Sequence, residues 1–199
     1  EEACKFSAIR YLGFPLSISE NFQQRNTNKS ISEALNVVNE IQELCEKHNK
    51  QQVVYISMGF GNPYGDPYDV GIVEQFSDIL SALNVKIISL ADTIGVSEPQ
   101  QIEYLFKSLI KKFPAIEFGA HLHSNPSIEK IEAAYNSGCQ RFDGALKGFG
   151  GCPMAKDELV GNMATETILA FLDSKNDALE LNREEFLKAL TLVDIVFNH

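Results

Sequence analysis

IEFGAHLH, residues 116–123, is the stretch on which the fold turns. It is a short apolar run that ends in two histidines separated by one residue, and the whole chain holds only four histidines. Read as a strand, it places residues i and i+2 on the same face, so His121 and His123 aim their rings at one point. Two neutral imidazoles so placed can share a divalent cation, whereas two protonated ones would repel. The plainer alternative is one hydrogen-bonded core histidine beside one that faces solvent. Spacing alone leaves both open.

Working outward, four further runs carry strand character: SAIRYLGF (7–14), QVVYISMGF (52–60), VKIISLAD (85–92) and CQRFDGAL (139–146). Helical patterns separate them. Ile31, Ala34, Leu35, Val38, Ile41 and Cys45 recur at helical spacing, as do Val73, Phe76, Ile79, Leu80 and Leu83, and then Ile102, Leu105, Phe106, Leu109 and Ile110. Ser97-Glu98-Pro99-Gln100 reads as a capping box with proline in the first turn, and Asn182-Arg183-Glu184-Glu185 opens a last helix in the same way. Strands alternating with helices mean βαβ units and a parallel sheet. Two α/β architectures fit: a five-stranded doubly wound sheet, or five strands of a (β/α)8 TIM barrel. In either, ligands bind beyond the carboxyl ends of the strands.

Composition narrows the function classes. The 199 residues suit one domain, 1–199, with 44% hydrophobic and 22% charged content. A net charge of −10 disfavours a nucleic-acid partner, which needs clustered Lys and Arg. No apolar run approaches the length of a membrane span, and no signal-peptide pattern opens the chain, so no membrane partner is expected. Cys4, Cys45, Cys139 and Cys152 are scattered and read as reduced thiols in a cytoplasmic setting. The chain opens Glu1-Glu2-Ala3 rather than on methionine, which raises the expectation of sequence upstream.

The strand ends hold the residues with chemistry to offer. GFGGCP (148–153) follows the last strand run, and its glycines let the backbone take positive φ while Pro153 stiffens the exit. A thiol on such a loop is accessible, so Cys152 has the setting of a reactive cysteine, the alternative being an incidental residue on a tight turn. Asn162 precedes the helical run MATETILAFL. It is either that helix's N-cap or a hard-cation ligand through its amide oxygen. Asp92 closes an apolar strand and either caps the next loop or faces a ligand.

Taken together, ADTIGVSEP (91–99), GAHLH (119–123), GFGGCPMA (148–155) and GNMATE (161–166) resemble 3-hydroxy-3-methylglutaryl-CoA lyases, metal-dependent TIM-barrel enzymes with a DRE-type motif on the first strand. The resemblance runs from about residue 8 to residue 172 and includes FPLSISENFQQRNTNKSI; its Gly-Gly-Cys-Pro loop is the most discriminating part. It implies metal ligands at His121, His123 and Asn162, and catalytic roles for Cys152, His121, Asp92 and Glu166. It also implies a Mg²⁺ or Mn²⁺ cofactor and an acyl-CoA substrate cleaved to acetyl-CoA and acetoacetate. Residues 1–199 then correspond to barrel strands four to eight. The arginine and metal-ligating aspartate of the first strand have no counterpart, so weak metal binding and little turnover are expected of these residues alone. The open edge at the first strand leads us to expect a homodimer. Related Claisen-type synthases, aldolases of the same superfamily and a non-catalytic remnant are the competing readings.

Overall fold

A computed structural model of the chain describes residues 1–123, 127–151, 161–177 and 179–197. Its centre is a parallel sheet of β1 (Tyr11–Ser17), β2 (Gln51–Ser57), β3 (Ile87–Ala91), β4 (Glu117–His121) and β5 (Arg141–Asp143), in the spatial order β1-β2-β3-β4-β5. A five-stranded parallel sheet is common to both expected architectures. Each strand here pairs with its successor in sequence, in parallel register throughout. The helices are α1 (Glu20–Thr27), α2 (Ile31–Lys47), α3 (Val70–Ala82), α4 (Pro99–Lys112), α5 (Ile128–Asn136), α6 (Thr165–Ser174) and α7 (Arg183–Phe197).

The register splits the sheet into two faces. Leu16, Ile56, Leu90, Ala120 and Phe142 lie in one row across the strands, and Phe14, Val54, Ile88 and Phe118 in the row below. These residues pack into one apolar cluster with Ala34 and Val38 of α2, Val73 and Leu80 of α3, Ile102 and Leu105 of α4, and Ile131 and Ala134 of α5. The alternate residues form the opposite face, with Pro15, Tyr55, Ser89, Gly119 and Arg141 in one row. No helix among the described residues is long and apolar enough to cross a membrane.

Several boundaries differ from the sequence reading, each for a physical reason. β1 runs to Ser17, straight through Pro15. It is a sheet edge, where a residue without an N–H leaves no ladder bond unmade. β5 shrinks to three residues. The helix after Ser97 begins at Pro99 with Glu98 as N-cap and no side-chain cap bond, because the Ser97 hydroxyl donates to Asp92 instead. The complete capping box is at Ser30 and Glu33, on α2. Asn182 does cap α7, accepting from the Glu185 amide at 3.2 Å. Ile79, expected on the buried face of α3, is 41% exposed. The short helix α1 was not legible, since it buries only Phe22 and Gln23.

Candidate active site

Strand β4 delivers His121 at its last residue, and His123 lies one alternation further on. Their Nε2 atoms are 3.1 Å apart, with the rings edge to face at 85°. His123 is buried, and His121 packs edge-on against the Tyr55 ring on β2 with centroids 5.5 Å apart. Burial first, and the neighbouring His123 ring second, push the His121 pKa down to about 4, against an opposing pull from Asp143. His121 is therefore a neutral imidazole at ordinary pH, with a lone pair to offer as ligand or base. Its Nδ1 is buried without a hydrogen-bond partner among the described residues.

Asn162 is brought to the same place from 39 residues away along the chain. It forms an antiparallel bridge with His123, and the next residue, Met163, donates its amide to the Leu122 carbonyl at 2.9 Å. The side-chain nitrogen of Asn162 donates to the Phe149 carbonyl at 3.0 Å, which leaves the amide oxygen as its atom for a cation. The N-cap reading of Asn162 does not hold, since α6 begins at Thr165 with Ala164 as its N-cap. The glycine loop packs on this asparagine tightly enough to need its composition. Gly150 has φ +91°, and a Cβ there would lie 3.1 Å from Asn162 Nδ2. At Gly148, with φ +69°, a Cβ would meet the Asn162 carbonyl oxygen at 2.9 Å.

These side chains line one cavity of about 320 Å³, shared by His121, His123, Asn162, Tyr55, Ser57, Thr93, Phe22 and Gly151. All three expected metal ligands thus converge. The two carboxylates do not join them. Asp92 is 1% exposed, lies outside the cavity lining, and has its oxygens taken by the Ser97 amide at 3.0 Å, the Ser97 hydroxyl, and Lys130 Nζ at 3.0 Å. It holds the β3 turn in place, and the neighbouring Thr93 lines the cavity instead. Glu166, in the first turn of α6, accepts from the Lys147 amide at 3.0 Å and is likewise not among the lining residues. Cys152 lies outside the described residues; Gly151, immediately before it, lines the cavity. The other three cysteines are buried free thiols, and burial pushes Cys139 up to about 12.

Sequence reading missed Tyr55, Ser57 and Phe22. For Tyr55 the available signal was its alternation with Val54 and Ile56, which puts it on the face opposite the core. Thr93 was visible only as the partner of Asp92. Its hydroxyl oxygen accepts from the Met58 amide at 2.8 Å, pinning a residue whose φ is 60°.

The model of the HMGL-like family matches residues 3–193. A hydroxymethylglutaryl-CoA lyase of Bacillus subtilis is 31% identical over 195 residues, covering 97% of this chain and 62% of that protein. A cytoplasmic 3-hydroxy-3-methylglutaryl-CoA lyase of Homo sapiens is 32% identical over 157 residues, covering 78% of this chain and 42% of its own length. Among solved structures, the Bacillus subtilis HMG-CoA lyase superposes with a TM-score of 0.84 at 30% identity, over 94% of this chain and 63% of that one. A hydroxymethylglutaryl-CoA lyase from Pseudomonas aeruginosa gives a TM-score of 0.87 at 27% identity, over all of this chain and 66% of that one. The chain therefore spans about three fifths of the length of these bacterial relatives.

Proposed function

The chain belongs to the HMGL-like family, and on that premise we propose that it carries the metal-binding side of a carbon–carbon lyase acting on 3-hydroxy-3-methylglutaryl-CoA. The strand order, which never reverses, and the superposition on lyase structures support an arc of a TIM barrel, its strands being four to eight. A doubly wound sheet has a point where the order reverses. The names of the relatives support an acyl-CoA substrate and, from the human protein, a cytoplasmic setting.

The residues present fit a divalent cation. Nitrogens 3.1 Å apart are close enough that one divalent ion could take a lone pair from each. His121 and His123 would hold it with the amide oxygen of Asn162, and hard oxygen ligands would complete a sphere suited to Mg²⁺ or Mn²⁺. When bound, the ion supplies a Lewis acid that lowers the pKa of a coordinated hydroxyl.

The chain's own residues account for the rest. Cleavage takes a proton from the tertiary hydroxyl, breaks the neighbouring C–C bond to release acetoacetate, and returns a proton to the thioester enolate, giving acetyl-CoA. His121, with its Nε2 given to the ion, would hold the coordinated hydroxyl in place for the first transfer. Cys152, one residue beyond the lining Gly151, is our assignment for the second. Phe22 and Tyr55 give the cavity apolar walls that exclude water from an enolate. The convergence of His121, His123 and Asn162 on one cavity carries this reading. Mn²⁺ titration of the chain is expected to show a site that His123→Ala weakens at least tenfold. In the full-length protein, cleavage of 3-hydroxy-3-methylglutaryl-CoA is expected to fall by about 10²–10⁴ in Cys152→Ser. A full-length protein that binds the ion but leaves this thioester intact would overturn the substrate, and wild-type turnover in Cys152→Ser would remove the cysteine. Homodimerisation is a further part of the proposal, to be read from the sedimentation of the chain.

A further inference from the structure

Lys130 is a buried lysine that none of the preceding chemistry uses. It occupies the third position of α5, 8% exposed, beside the fully buried Ile131. Its ammonium reaches back to Asp92 Oδ2 at 3.0 Å and to the Gly95 carbonyl at 3.2 Å. Asp92 in turn donates its backbone amide to the carbonyl of His121 at 3.0 Å. The segment that carries both histidines is thus held at three points. The His121 carbonyl is held by the Asp92 amide, the Leu122 carbonyl by the Met163 amide, and the first turn of α5 by the ion pair to Asp92. One residue, Asp92, supplies two of the three.

We infer that Lys130 is a positioning residue for the histidine pair, acting through Asp92 to fix the strand end that brings the two imidazoles together. Stability alone accounts poorly for a charge at this place. Two ions taken from water lose solvation that their attraction only partly returns, and well-packed apolar side chains often serve as well or better. What an apolar pair would not supply is direction. A buried ammonium accepts few arrangements of its partners, and here it must satisfy a carboxylate on the β3 turn and a carbonyl three residues further along. That ties the N-terminus of α5 to the loop beside His121 in one arrangement, and the histidines lie on the segment between the anchors.

The inference rests on reading His121 and His123 as a functional pair, so its test is carried out on the metal-free full chain. In wild type, imidazole nitrogen NMR is expected to show a ring proton shared between the two Nε2 atoms and protected from exchange with solvent. Lys130→Met, folded by circular dichroism, is expected to lose that protection at least tenfold, and Asp92→Asn to show the same loss. Should Lys130→Met not fold, Lys130→Gln, which keeps a donor for the Gly95 carbonyl, is read in its place. A folded Lys130 variant with wild-type protection of the pair overturns the inference. A parallel Mn²⁺ titration separates the two readings: no Mn²⁺ site in wild type, alongside a Lys130-dependent pair, would sink the metal-lyase proposal and support the positioning role.

Discussion

The two faces of the sheet are made by the same strands, in alternate residues, yet they have almost nothing else in common. On the helix-covered face Leu16, Ile56 and Leu90 are fully buried within one apolar cluster. On the other, Tyr55, Ser89, Glu117, Arg141 and Asp143 form a polar surface laced with hydrogen bonds and ion pairs. Ser89 donates to Asp143 at 2.7 Å, Arg141 pairs with Glu117 at 3.3 Å, and the Arg141 guanidinium sits 5.0 Å over the ring of Tyr11. The difference is a division of labour. Apolar burial, worth roughly 25 cal/mol per Å², holds the strands in register. That register then presents polar groups in fixed rows on the face where the cavity opens. The histidines belong to the polar rows and borrow their rigidity from the apolar ones.

The largest effect expected of a single substitution therefore lies on the apolar face. Leu90→Ala, at a residue with no exposure, removes most of a buried side chain from the middle of β3. The loss is expected to be about 2–5 kcal/mol of folding stability, the range for truncating a buried leucine where the cavity cannot fully collapse. Urea denaturation measures it. A loss below about 1 kcal/mol would mean that this face is loosely packed and that the contrast between the faces is false.

How much of this was legible in the sequence follows the same divide. Apolar alternation and helical spacing are local properties. They revealed five strands, the core faces of α2 and α4, and the histidine pair, because each can be read within about ten residues. What could not be read depends on which residues meet across the sheet. Nothing near Asp92 says that its carboxylate is taken by a lysine 38 residues away, so a strand-end aspartate looked equally like a cap and a site residue. Ser97 reads as a helix cap by every local rule and is diverted by that same carboxylate. Tyr55 becomes a site residue only once the sheet sets β2 one strand away from β4, so that its ring meets His121 across β3. Helix α1, ENFQQRNT, carries too few apolar residues to announce itself.

The second expected effect is set by pH and acts across the two faces. His121 in the folded chain has its pKa pushed down from 6.5 to about 4, chiefly by burial. The unfolded chain takes up the proton at higher pH than the folded one, so acid favours unfolding. The stability linked to this ring is complete above the ordinary value of 6.5, declines as pH falls from there towards 4, and is gone below the folded value. In metal-free protein that decline is expected to reach about 3–4 kcal/mol, from roughly 1.4 kcal/mol per pH unit of separation. His121→Gln, which cannot take the proton, should flatten the profile over this window. An unchanged profile would show that His121 titrates like an exposed histidine and that the pair is open to water.

The smallest effect is the sharpest test, because it sits one residue from the largest. Ser89 and Leu90 are consecutive on β3, both fully buried, and point to opposite faces. The Ser89 hydroxyl donates to Asp143 Oδ2, and Asp143 is also 3.9 Å from the Arg141 guanidinium. Ser89→Ala therefore removes one hydrogen bond to a carboxylate that keeps another partner, leaves no large void, and is expected to cost about 1 kcal/mol. If burial alone decided the outcome, the two substitutions would differ only by the volume removed. If the polar face is an arrangement of directed groups, Ser89→Ala should cost little in urea yet alter the site, since Asp143 pairs in register with His121. Its release is expected to shift the imidazole resonances of His121 while the denaturation midpoint moves only slightly. A large drop in stability with unshifted imidazoles would invert the contrast, making the polar face part of the core and leaving the histidines indifferent to the row beside them.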